Sequence, residues 1–470
     1  MKLQILHTND IHSHFEKLPM IRTCIRQNQK ENTLVLDGGD FHDMRSLTLL
    51  GSDAKAGSLF LKACGYDAMT LGNNDLWSGE ENFENIIQNE DVNVLSCNID
   101  YYPSREIPLK KSIIKRFEDV KVCIIGVSVG KDSYNSFSHL YGLHVKDPLV
   151  CIREEMESNE ADIYILLSHM GIEQDREIAQ KLPVDIIIGG HSHTLMERCE
   201  YINGTYIHQA KEYGEHVGEC LIDIENKKIR SVVSKNYNTK DYPADEEVRQ
   251  LVASEKKKAL EILNQPFVEL PFGMDHDWIK EDGLTNFIAD ASLKVMPADL
   301  AIANSGLCLH GLDQEVSKAD VFDAAPSPLN ISRAYLTGEK ILEALKLSLD
   351  PTYCLHEERA CGFRGKKIGH LAVSKNVEVI IKKDEIEVFL DGKRLDKQKK
   401  YLVCANDFLF RGSGYPPLFS EDYLEFDKLM IKDVIIQYLS DKKLVLESKS
   451  RRFKKFDYGR DLDENKMQGM

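Results

Sequence analysis

At 470 residues the chain exceeds what one hydrophobic core supports, since single cores stop growing at about 250–300 residues, so two domains are expected. Hydrophobic residues at 42% and charged residues at 29% are ordinary for a soluble globular protein. A formal net charge of −16 argues against a protein that reads a nucleic-acid backbone, which would show a basic patch or stripe. An acidic protein that handles phosphorylated molecules must offset anion repulsion locally, and bound divalent cations do that.

The eleven cysteines are scattered, without a C-x-x-C pair. That pattern fits buried reduced thiols better than a disulfide framework or a structural zinc site. No signal-like segment precedes the first strand, and no stretch approaches the ~20 apolar residues of a spanning helix. The expectation is a cytoplasmic protein with no membrane or nucleic-acid partner.

Through residues 1–235, short apolar runs alternate with amphipathic stretches. Strands are expected at 3–7, 34–36, 68–71, 93–97, 122–127, 163–168 and 185–188, and helices at 53–64, 80–90, 147–158 and 173–181. Near-continuously apolar strands alternating with helices imply sheets covered by helices. From Asp241 to Leu263 the sequence turns charged and helical, which reads as a connecting helix. Beyond it, helices are expected at 284–296, 338–349 and 430–439, and strands at 299–303, 370–374, 376–390 and 401–405. The tail from Asp457 is polar.

The turns that follow the strands carry the chemistry. They read Asn9-Asp10-Ile11-His12, Asp37-Gly38-Gly39-Asp40, Gly72-Asn73-Asn74-Asp75, Ser168-His169 and Gly189-Gly190-His191-Ser192-His193. Ligands of open α/β sheets gather at the carboxyl ends of strands, so five strand ends bring Asp10, His12, Asp40, Asn73, His169, His191 and His193 to one rim. A carboxylate such as Asp40 can bridge two cations roughly 3.5–4 Å apart. Mixed oxygen and imidazole donors suit Mn2+ first, with Zn2+, Co2+ or Fe2+ as alternatives, whereas an all-oxygen set would suggest Mg2+ or Ca2+. One Asp-x-His alone is usually a turn or a helix cap, but seven ligand-type residues at five successive strand ends leave little room for that explanation.

This ordered series resembles the calcineurin-like metallophosphoesterases and, with Thr8-Asn9-Asp10-Ile11-His12 and the motifs beyond residue 280, the bacterial 5'-nucleotidase/UDP-sugar hydrolase family. The resemblance implies a four-layer α/β/β/α metallophosphoesterase domain over 1–240, a linker helix over 241–265, a smaller α/β C-terminal substrate-recognition domain over 266–457 and a polar tail over 458–470. It implies two divalent cations, one held by Asp10, His12 and His193, the other by Asn73, His169 and His191, with Asp40 bridging. The implied reaction is hydrolysis of a phosphate ester or anhydride, with a nucleotide as the expected substrate. The loop Ala405-Asn406-Asp407-Phe408-Leu409 to Arg411-Gly412-Ser413-Gly414-Tyr415 is similar to the family's base-binding loop, which makes Tyr415 a candidate stacking ring and Asn304 and Arg411 candidate substrate contacts.

Three departures stand out. Asn74 replaces the family's transition-state histidine, and Trp77 stands where its orienting aspartate is usual. Asn74 can donate a hydrogen bond to a phosphoryl oxygen but cannot deliver a proton; His14 and His42, each two residues past a ligand, are the candidate substitutes. Leu329 replaces a second stacking aromatic, and the arginine of the phosphate clamp is missing near Asn304, with Arg333, Arg364 and Arg411 as possible replacements. Two readings stay open: an enzyme, and a nucleotide-binding sensor that kept its cations with weakened turnover.

Overall fold

The structure, a computed structural model, describes residues 1–102, 109–130, 139–358, 362–383, 385–420 and 424–455. The expected tail, 458–470, lies outside the described residues. The chain divides into two compact units, Met1–Leu263 and Asn264–Met470.

The first unit holds two six-stranded sheets. In one, β1 (Lys2–Thr8), β2 (Thr33–Asp37), β3 (Ala68–Thr70) and β4 (Asn93–Leu95) run parallel in that order. His216–Glu225 and Lys228–Asn238 extend it antiparallel beyond β1, in register His7↔Gly218. The other sheet orders Glu200–Ile202, Thr205–His208, Ile186–Gly189, Ile163–Ser168, Val120–Val127 and Ser112–Phe117, the middle four parallel.

Side-chain alternation along these strands assigns the layers. Leu3 and Ile5 enter a core with Leu36, Ile124, Ile165 and Ile186, drawn from both sheets. Leu6 and Val35 point the other way, among Leu18, Ile21, Phe60 and Leu61 of the helices Leu18–Asn28 and Lys55–Cys64. On the far face of the second sheet, Ile125, Leu166 and Ile187 meet Ile152 and Ile178 of the helices Pro148–Ser158 and Ile172–Lys181. The unit is therefore a four-layer α/β/β/α sandwich, and its strands are apolar on both faces because both are covered. Each fully buried Leu or Ile contributes about 1.5–3 kcal/mol, and truncation of Ile5 to alanine would cost about 2–5 kcal/mol.

The charged run read as a connector forms the helix Glu246–Leu263. It buries Val248, Ala259 and Leu263 and packs on Leu18–Asn28, Leu47–Gly51 and Lys55–Cys64, so it belongs to the outer layer of the first unit. Its buried positions recur at helical spacing, a face that charged neighbours obscure in the sequence.

The second unit is built on a five-stranded mixed sheet in the order Leu371–Val373, Leu300–Asn304, Lys400–Asn406, Asn330–Thr337 and Leu424–Met430. Helices Gly283–Val295 and Ile431–Tyr438 contribute Phe287, Ile288, Val434 and Ile435 to its core. The stretch 376–390, expected as one strand, is a hairpin of Val377–Ile381 and Ile386–Leu390 that closes at Ile381↔Ile386.

Candidate metal centre

The seven residues expected at the strand ends come together on the first unit. Their donors form two overlapping groups, Asp10/His12/His193 and Asp10/Asp40/His169, each with its ligand atoms within 4.8 Å of one another. His12 Nε2 lies 3.2 Å from His193 Nε2, and His193 Nε2 lies 3.3 Å from Asp10 Oδ1. Asp10 is common to both groups, and Asp40 of the second also reaches the first, its Oδ2 3.7 Å from His12 Nε2 and 3.4 Å from His169 Nε2, as a bridging carboxylate needs. Asn73 Oδ1 and His191 Nδ1 are 2.9 Å apart. Donors of one ion with bonds of ~2.0–2.2 Å stand ~3–3.5 Å from each other, so these separations suit shared cations.

The imidazole of His169 tests the fit most sharply. It is fully buried, its Nδ1 donates to the Gly38 carbonyl at 2.7 Å, and its Nε2 has no hydrogen-bond partner. A backbone carbonyl thus fixes the tautomer with the lone pair on Nε2, aimed at Asp40 and Asp10, as ligating histidines require. The donor set fits two divalent cations.

The backbone is strained at the same places. Asp10, His12, Asp40, His191 and His193 all have positive φ, between 47° and 72°, a region that costs a non-glycine residue about 1–3 kcal/mol and persists only when the surroundings impose it. Cross-turn hydrogen bonds impose it here: Asp10 N to Gly39 O, His12 N to Asp40 O, and Tyr213 N to Asp10 O. His191 N donates to the Asp10 carboxylate, and a Cβ on Gly72 would overlap the Asp40 carboxylate.

Charge is balanced within the cluster. Burial alone would raise the Asp40 carboxyl, but the charges of His169 and His12 and the Asn74 hydrogen bond hold it below the usual carboxylate range. Burial opposes a charge on His169, yet Asp40 and Asp10 keep its imidazolium well above the ordinary range. Burial and the neighbouring His169 depress His191, whereas the Asp10 hydrogen bond raises His193. Without a cation, a proton on His169 fills its role.

Asn74 donates to both oxygens of Asp40, from its backbone N and its Nδ2, each at 2.7 Å. His14 lies on the rim, about 40% exposed, bonded to Glu16 and packed on the Tyr213 ring that also touches His12 and His193. His42 is not a substitute proton donor: it is fully buried, and its Nδ1 donates to Asp75 at 2.7 Å.

The second unit corrects two expectations. Tyr415 is fully buried, packs against Tyr353 and donates its hydroxyl to Gly369 O at 2.6 Å, so it is a core residue and not an open stacking ring. Asn304 is fully buried too; it donates to Ile368 O and accepts from Asn406, which leaves no reach to a substrate. Arg411 is partly exposed and pairs with Asp407 at 3.1 Å. The same loop instead presents Gly412, Gly414 and Pro416 to a cavity of about 410 Å³ shared with Tyr353 and His356.

Sequence reasoning missed the supports. Asp75 is fully buried and accepts from Asp40 N, Gly72 N and His42 N, tying two ligand turns together. Its signal was present, since an acidic residue at the third position of a helical turn accepts from the cap. Asn9 bonds Asp10 Oδ2 and Ala210 N, and Asp43, clamped by Arg45 and Ser13, stands 3.8 Å from His12 Nδ1. The bond from Ala210 N to Asn9 spans 201 residues, and no local pattern announces it.

Comparison with known proteins agrees with this geometry. Residues 3–195 match the family described as Calcineurin-like phosphoesterase, and residues 263–421 match 5'-nucleotidase, C-terminal domain. An uncharacterized metallophosphoesterase of Bacillus subtilis, YunD, is 29% identical over 439 residues, covering 88% of this chain and 94% of its own length. A 5'-nucleotidase of Vibrio vulnificus is 24% identical over 498 residues, covering 89% and 86%. The structure of the Haemophilus influenzae NAD nucleotidase superposes with a TM-score of 0.64 at 18% identity, over 97% of this chain and 98% of that one. With its ligand turns, its sandwich and both domain matches in agreement, the chain belongs to the calcineurin-like metallophosphoesterases that carry a 5'-nucleotidase C-terminal domain, hydrolases of phosphoester bonds that depend on divalent metal ions.

Proposed function

We propose that the chain hydrolyses nucleotides or closely related phosphate esters and anhydrides, with Asp10, His12 and His193 holding one cation, Asn73, His169 and His191 the other, and Asp40 between them. The carrying observation is the buried Nε2 of His169, which has no hydrogen-bond partner and faces two carboxylates, an arrangement that a cation satisfies. Mn2+ is the proposed native ion, because nitrogen and oxygen donors are mixed. When bound, the two cations supply Lewis acidity that activates water and neutralises charge on the phosphoryl group.

The chain's own residues do the rest. Asp75 and Asn74 hold Asp40 from two sides, its backbone and its carboxylate. The Asn74 amide offers a hydrogen bond but no proton, and His14, on the rim beside Tyr213, is the proposed donor to a leaving alkoxide. Relatives named 5'-nucleotidase and NAD nucleotidase support a nucleotide as substrate. The sensor reading has no such support. We place the reaction in the cytoplasm, since the described cysteines are free, as in a reducing compartment.

A panel of nucleoside mono-, di- and triphosphates, nucleotide sugars and 4-nitrophenyl phosphate with Mn2+ tests the reading. Aryl phosphates and anhydrides should exceed AMP in kcat/KM by about 10²-fold, within the worth of a general acid. The remaining AMP activity should fall selectively in His14→Ala. Equal efficiency on all substrates would show a well-placed proton donor elsewhere, and tight nucleotide binding without turnover would favour the sensor.

A further inference from the structure

A second group of metal-type side chains lies in the first unit and shares no residue with the phosphoesterase centre. His7 of β1, His208 at the end of Thr205–His208 and Cys220 of His216–Glu225 are all buried and bring ligand atoms within 4.8 Å of one another. Cys199, just before Glu200–Ile202 and half-buried, places its Sγ 3.6 Å from the Cys220 Sγ. His7 Nε2 and His208 Nδ1 are 2.8 Å apart. Two imidazoles and the Cys220 thiol thus meet at the apolar core between the sheets, and Cys199, packed against that core, lies outside this three-donor group but within reach of Cys220.

We infer that His7, His208 and Cys220, completed by Cys199 turning in beside Cys220, form a closed structural site for one zinc-like divalent cation. Tetrahedral coordination with Zn–S of ~2.3 Å and Zn–N of ~2.0 Å sets sulfurs ~3.8 Å and nitrogens ~3.3 Å apart. The sulfurs already stand near that spacing, the rings need to part by about half an ångström, and the Cys199 side chain needs to turn toward the rings.

Charge argues the same way. A divalent cation with two thiolates and two neutral imidazoles has no net charge, the form an apolar inter-sheet core tolerates. Binding would expel two thiol protons, and the proton between the rings would move to an outer nitrogen of its own imidazole. Room for the His7 ring exists because residue 218, directly opposite, is glycine; a Cβ there would overlap Nε2. The donors are soft and mixed, N2S2, which selects zinc over the harder ions suited to the Asp- and Asn-bearing centre. Residues 199–220 also carry Ala210 and Tyr213, whose backbone N–H groups bond Asn9 and Asp10, so the cation would brace the segment behind the phosphoesterase ligands.

The test uses Co2+ on the full chain, stripped of metal and reduced. One equivalent should give thiolate-to-cobalt charge-transfer absorption, release two protons, and be displaced by Zn2+. The signal should survive Asp40→Ala, which disables the other centre, and vanish in Cys220→Ser. Should Cys220→Ser fail to fold, the wild-type spectrum still decides, and so does alkylation: Zn2+ should protect Cys199 from iodoacetamide. Absence of charge transfer with both thiols reduced, its persistence in folded Cys220→Ser, equal alkylation with and without Zn2+, or a Cys199–Cys220 disulfide in protein prepared without oxygen would each overturn the site.

Discussion

The two units treat their sequence-predicted site residues in opposite ways. On the first, five of the seven expected ligands sit in left-handed backbone, and a sixth, the fully buried His169, keeps a nitrogen without a hydrogen-bond partner. On the second, Asn304 and Tyr415 are sealed in with their hydrogen bonds complete. A residue that must bind something is held at a cost with a valence left open, whereas a residue of the frame is satisfied by its neighbours. Motif position alone does not separate these cases.

The sharpest way to break that contrast is Asp40→Ala. Both donor groups lean on this carboxylate, so bound metal should fall from two ions to at most one and turnover by about 10³-fold or more, beyond the share of a single electrostatic donor. Metal analysis of the purified variant beside steady-state assays checks it. Full metal content with near-normal turnover would remove the bridging role and with it the distinction between the units.

Asp75→Ala probes how the strained rim is held. It leaves Asp40 N, Gly72 N and His42 N without their acceptor, and unpaired buried donors cost about 1–3 kcal/mol each, so the metal-free chain should lose about 3 kcal/mol or more. Urea unfolding in chelator measures this. A loss below about 1 kcal/mol would mean that the ligand turns keep their shape without this carboxylate.

Proton competition gives a graded test. In the metal-free chain His169 is raised and stays protonated to above the ordinary imidazole range, while Asp40 is depressed and stays charged until the pH falls below the usual carboxylate range. Their mutual stabilisation is therefore lost at either end, as pH rises through the His169 value or falls through that of Asp40. A cation needs the Nε2 lone pair, so binding expels the proton and affinity should climb with pH, by up to about tenfold per unit while His169 is protonated. Calorimetric titration with Mn2+ in two buffers of different ionisation heat reads the protons released. A value of zero at neutral pH would show that the lone pair is already free.

These contrasts also explain what was legible beforehand. The ligand turns could be read because each is short, follows an apolar strand and is punctuated by glycine. The layers followed from strands apolar on both faces. The helix Glu246–Leu263 looked like a connector because four buried side chains are diluted among fourteen other residues, and its packing partners lie some 200 positions away. The hairpin of Val377–Ile381 and Ile386–Leu390 looked continuous because the sequence between the two strands holds no glycine or proline. The His7, His208, Cys199 and Cys220 group was invisible, and the scattered cysteines argued against zinc, because only strand pairing across both sheets assembles it.

The smallest expected effect is the most direct check on the second unit. Tyr415→Phe removes one buried hydroxyl that donates to Gly369 O and keeps the ring. Loss of that bond should lower stability by about 1–2 kcal/mol, since the Gly369 carbonyl is left without its donor. KM and kcat for the best substrate should not change, because a ring enclosed by Tyr353 and the surrounding core offers no face to a base. A KM that rises several-fold while the unfolding midpoint holds would show that the hydroxyl meets the substrate. That result would place Tyr415 beside the open-valence residues of the first unit, and the line between satisfied frame and unsatisfied site would have to be drawn elsewhere.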